Sequence, residues 1–85
     1  MSMDEKIDVV LKRLSRGDVV NLSSIIMYHV KEGDKDQQRL IENFLQDEKL
    51  VRPFDAGHMI TTYGLKIQSE EEGGSIIRQM IFVDL

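Results

Sequence analysis

The residues best equipped for recognition chemistry lie in one short stretch, Lys35, Gln37, Gln38 and Arg39. A glutamine amide and an arginine guanidinium have the donor geometry to pair with adenine and guanine edges, and a lysine ammonium pairs with phosphate. The same residues also suit a solvated helix face on which the Gln37-Gln38 pair has no significance. Farther along, Arg52 and His58 flank the stretch 53–57. There they could meet phosphate, or form part of an ordinary exposed hairpin.

Other chemistries find little support. His29 and His58 are the only histidines and cysteine is absent, so no His-x-x-x-His, His-Glu-x-x-His or paired-cysteine spacing exists. No metal and no cofactor are expected, and His29 reads as a partly buried packing residue. Ser15, Ser23, Ser24, Ser69 and Ser75 lack a Gly-x-Ser-x-Gly context, and Gly73-Gly74 follows acids rather than a strand. The chain is therefore not expected to be an enzyme, and no small-molecule substrate is indicated.

The elements that must position these residues belong to a small soluble chain. Its 85 residues are 41% apolar and 31% charged, with a net charge of −4. That composition is globular rather than disordered. A chain of this length forms one domain, 1–85, which buries roughly 60 to 65% of its unfolded surface and has no interior to spare for an enclosed cofactor. Asp4 and Glu5 stand where a secretory signal would carry positive charge. The longest apolar stretches, 25–28 and 80–83, are far shorter than the roughly 20 residues that span a bilayer. The expected compartment is the cytoplasm, with no membrane partner.

Ile7, Val10, Leu11 and Leu14 recur at i, i+3, i+4 and i+7, which predicts a helix over 4–16 that stops at Gly17. Its acids lie near the start and its bases near the end, in the order that complements the helix dipole. Asn21 is placed to cap a second helix over 22–30 carrying Leu22, Ile25, Ile26, His29 and Val30, with Gly33 available for a left-handed turn. Asp34 or Asp36 can cap a third, with its stripe at Leu40, Ile41, Phe44 and Leu45, running to about Glu48. The texture then changes. Residues 50–54 are β-prone and contain Pro53, which fits an edge strand; 55–57 form a turn in which Gly57 can supply a positive φ, and 58–61 return. Thr61 or Thr62 can cap a further short helix carrying Leu65 and Ile67, and Glu70-Glu71-Glu72-Gly73-Gly74 is a solvated break.

Three helices, a two-stranded hairpin and then Ile60-Thr61-Thr62-Tyr63-Gly64 at the start of another helix form an order that resembles the winged-helix superfamily, in particular small bacterial and phage winged-helix proteins. The resemblance covers about 4–68 and its one motif is Ile-Thr-x-x-Gly, here Ile60, Thr61 and Gly64. Thr61 can accept from the following turn while Gly64 allows the helix to pack closely on a neighbour, most simply the first helix. The fold so implied is α+β: a three-helix core, a hairpin wing and a C-terminal helical segment. The resemblance also implies double-stranded DNA as partner, with Lys35, Gln37, Gln38 and Arg39 on the third helix and Arg52 on the wing.

Charge opposes part of that implication. Residues 34–48 sum to −3 and 69–85 to −3, whereas 49–68 sum to +2. An acidic third helix repels a polyanion, while the wing region is basic. The alternative function is a protein-interaction or dimerisation module on the same scaffold. The segment 75–85 bears on it, because Ile76, Ile77, Met80 and Ile81 are too apolar for a free tail. They can cover the domain's own core beside the first helix, contact a second copy across a two-fold axis, or add a strand to the hairpin. Own-core packing with some dimer contact is the favoured expectation.

Overall fold

The computed structural model describes residues 2–30, 35–70 and 73–83. Its elements are α1 (Met3–Leu11), α2 (Leu22–His29), α3 (Lys35–Asp47), β1 (Val51–Phe54), β2 (Gly57–Ile60), α4 (Thr62–Ser69) and α5 (Gly73–Val83). The fold is α+β, with helices followed by an antiparallel hairpin and C-terminal helices. Ile7, Val10, Leu11, Leu22, Ile26, Ile41, Leu45, Leu50, Val51, Ile60, Ile67 and Ile77 meet in one core, so every element from α1 to α5 contributes to it.

α1 is shorter than its periodicity predicts, ending at Leu11 rather than Arg16. The chain tightens through Arg13 N–H to the Val10 carbonyl and Leu14 N–H to the Leu11 carbonyl. This turn is held from outside the helix. The Gln68 side-chain amide donates to the carbonyls of Leu11 (2.8 Å) and Leu14, and Lys12 Nζ donates in return to the carbonyls of Gln68 (2.7 Å) and Glu70 (3.2 Å). Helix ends leave such carbonyls without partners; here the ends of α1 and α4 satisfy each other. Leu14 stays buried although it lies beyond the helix. Gln68→Ala is expected to cost about 1–3 kcal/mol, since the Leu14 carbonyl loses its donor and the Leu11 carbonyl keeps only Leu14 N–H. Chemical denaturation would show a lower midpoint at unchanged slope.

Asn21 caps α2 as expected, its side chain accepting from Ser24 N–H at 3.2 Å. Gly33 and Asp34 lie outside the described residues, and Asp36 falls in the first turn of α3 instead of at its cap. α3 ends in a 6→1 bond from Leu50 N–H to the Leu45 carbonyl and a 5→2 bond from Lys49 N–H to the Gln46 carbonyl, with Lys49 left-handed at φ 59°. Buried Leu45 and Leu50 supply the accompanying hydrophobic contact.

The hairpin pairs Val51 with Ile60, Arg52 with Met59, Pro53 with His58 and Phe54 with Gly57. Val20 adds a bridge on the far side of β2, its N–H and carbonyl bonding His58 at 2.9 and 3.0 Å. This leaves β1 as the edge. Because His58 turns its backbone groups toward Val20, the Pro53–His58 pair is one that exchanges no bonds, and the missing proline N–H costs nothing. The expectation for Gly57 needs correcting. Asp55 takes the positive φ (55°), while Gly57 is strand; its bareness matters because a Cβ there would lie 2.5 Å from the Val20 carbonyl oxygen.

Thr61 begins α4 as expected, accepting from Gly64 N–H at 2.9 Å while its hydroxyl lies 2.6 Å from the Lys49 carbonyl. Gly64, however, packs on the Leu50 carbonyl and Ile60 rather than on α1. Helix α1 is covered instead by α5. The last segment is a helix, not an added strand, and Ile77 is fully buried in the chain's own core, with Ile76, Met80 and Ile81 packed half-buried around it. Ile77 therefore has no surface to offer a second copy.

Candidate functional site

Only part of the expected recognition set faces outward. Lys35 and Arg39 are exposed and one turn apart on α3, and Gln38 is half-buried. Gln37 turns inward, where its Oε1 accepts from Lys6 Nζ of α1 at 2.8 Å. It thereby gives the buried lysine a polar partner and leaves the outward set. Such a contact between residues far apart in sequence has no local signal.

The acids of α3 are also unevenly placed. At roughly 100° per residue, the arc pointing away from buried Ile41 and Leu45 carries Lys35 and Arg39 on one flank and Asp36 and Asp47 on the other. Glu42 is tied to α2, accepting from Ser23 Oγ at 3.2 Å, and Glu48 is half-buried at the helix end. The outward arc is therefore balanced in charge, although the segment sums to −3. Glu42 and Glu48 keep their charge, so the balance among the described residues holds for direct contacts on the arc, while the long-range repulsion of the segment sum stands.

Arg52 projects from the exposed face of β1. Its guanidinium carbon lies 5.1 Å from the centroid of the Phe54 ring, and Nη2 is 3.6 Å from Met59 Sδ. No carboxylate pairs with it among the described residues. Arg52 also borders a groove of about 560 Å3 at the root of the hairpin, lined by Arg16, Lys49, Met59, Thr61, Tyr63 and Leu65 among others. Among the described residues this groove brings together three cations and no Asp or Glu. Sequence reasoning missed it because its cations come from the α1–α2 loop, the α3–β1 junction and β1.

His29 is half-buried with its ring edge-on to Tyr28, centroids 4.8 Å apart, and His58 is half-buried beside the Val20 bridge. Among the described residues, no group of three or more His, Asp or Glu converges as a metal site. No described helix is long and apolar enough to cross a membrane. No protein-family model, curated protein or solved structure matches this chain.

Proposed function

We propose that this chain is a winged-helix module that binds double-stranded DNA, presenting the Lys35–Arg39 flank of α3 to the duplex and Arg52 of the hairpin to its backbone. The observation that carries the reading is the balanced outward arc of α3, where Lys35 and Arg39 stand exposed and outside any ion pair among the described residues. Support comes from the Val20 bridge, which anchors the hairpin to the segment leading into α2 and so gives a wing a defined position beside the helices. Gln38, half-buried, has a smaller part, and Gln37 none.

The reading predicts that Lys35→Glu combined with Arg39→Glu, both at exposed positions, lowers affinity for a duplex by at least about tenfold. It also reduces the slope of log affinity against log salt by about 2, since each lost phosphate contact removes about 0.9. An unchanged affinity and slope in the double variant would remove α3 from the interface.

A second reading, a protein-interaction module without nucleic acid, draws on exposed Met27 and Tyr28 of α2 and Leu40 of α3. Leu40 lies roughly 200° around α3 from Glu42, the residue bonded to α2. The exposed apolar side chains of α2 and α3 therefore do not join into the continuous patch that an interface of this kind needs. Dimer contact through Ile76, Met80 and Ile81 would use only the outer edges of side chains already packed on the core.

A further inference from the structure

The geometry points to a second nucleic-acid site, the groove at the hairpin root, which takes a single-stranded segment with its phosphates on Arg16, Lys49 and Arg52 and a base on Tyr63. Three features of the groove lead there. Its charge is of one sign among the described residues: Arg16, Lys49 and Arg52 line it and no carboxylate does. Arg16 and Lys49 make no side-chain hydrogen bond or ion pair among the described residues, so both ammonium and guanidinium groups are available to a ligand. Its remaining wall combines Thr61 and Thr62 with apolar Met59 and Leu65 and with Tyr63, a residue 43% exposed.

That combination, a cationic track beside an aromatic platform, is the arrangement that holds unpaired strands, because phosphates follow the charge and every base has a face to stack. Shape separates this site from the duplex surface. A duplex is read by protein elements that protrude into its grooves. An open groove of about 560 Å3 cannot do that, but it has room for one or two splayed nucleotides to lie along it. The site overlaps the proposed duplex face at Arg52, so the test variants are taken from residues outside that face.

The test uses the full chain and a fluorescein-labelled twelve-residue oligothymidylate, with a labelled duplex of the same length alongside. Tyr63→Leu keeps an apolar side chain and removes the stacking ring. Arg16→Ser removes a cation from an exposed turn that bonds only through its backbone. Neither change touches the core, and matching thermal melts would confirm intact folding. Wild-type chain is expected to bind the oligothymidylate with affinity falling about 20-fold between 50 and 200 mM salt, as three phosphate contacts to a single strand imply. Tyr63→Leu is expected to weaken that binding by roughly 5- to 150-fold, the worth of one lost base stack, while duplex affinity stays within about twofold. Absence of oligothymidylate binding at tens of micromolar protein overturns the site, as does undiminished binding in both variants. Binding of the single strand without any duplex binding would keep this site and reject the duplex reading.

Discussion

Ile77→Ala is expected to lower stability by about 2–5 kcal/mol, the usual cost of emptying a fully enclosed aliphatic position. Ile77 has no exposed surface and sits where α5 lies against α1, within the same core as Val10 and Leu11. For 85 residues the whole folding free energy is about 4–13 kcal/mol. The variant therefore loses a large share of it, and the melting temperature falls by roughly 10–30 °C. Ile76→Ala, at a half-buried position, is expected to lose distinctly less. A loss below about 1 kcal/mol for Ile77→Ala would mean that α5 does not cover the core. If the apolar face of α5 were instead a two-fold interface, the wild-type melting temperature would climb with protein concentration, which own-core packing does not produce.

Gly64→Ala is the second large effect and runs against helix propensity. In an exposed helix the change to alanine gains about 1 kcal/mol. Here the added methyl would overlap the backbone carbonyl of Leu50 and press on Ile60 Cγ1 at 2.7 Å. The Leu50 oxygen has little room to withdraw, because it accepts from Thr61 N–H at 3.0 Å and its own N–H closes α3 on the Leu45 carbonyl. The strain thus reaches the α3 end, the hairpin and α4 together. Overpacking of this kind costs about 1–3 kcal/mol and occasionally more, so a net loss of about 2 kcal/mol and a melting temperature lower by roughly 10 °C are expected. A variant as stable as wild type would show that α4 shifts freely away from Leu50 and Ile60, and that close packing at Gly64 is not required.

Which features were legible in the sequence follows from the range of the interactions behind them. The caps at Asn21 and Thr61, the apolar stripes of the helices and the edge position of Pro53 all arise from residues within a few positions of each other. Lys12, Arg13 and Arg16 are good helix formers, so no local signal marks the end of α1 at Leu11, where the freed carbonyls bond to the distant Gln68 amide. The bridging role of Val20 was hidden in a two-residue apolar run too short to read as a strand. The demand for a bare residue at Gly57 comes from Val20 across the sheet, whereas the turn needs no positive φ there. The outward recognition set lost Gln37 to a contact with Lys6, and the groove was invisible because Arg16, Lys49, Arg52 and Tyr63 converge only on folding. Summed charge carries no directions: it does not show that Glu42 turns toward Ser23 of α2 while Lys35 and Arg39 stand exposed.

The central claim, that the Lys35–Arg39 flank and Arg52 form a duplex-binding face, is tested most directly by fluorescence anisotropy of a labelled duplex titrated with the full chain at about 50 mM salt, where phosphate contacts are strongest. The expected result is a rise that saturates by tens of micromolar protein and is reversed by added salt. A flat titration over that range would contradict it.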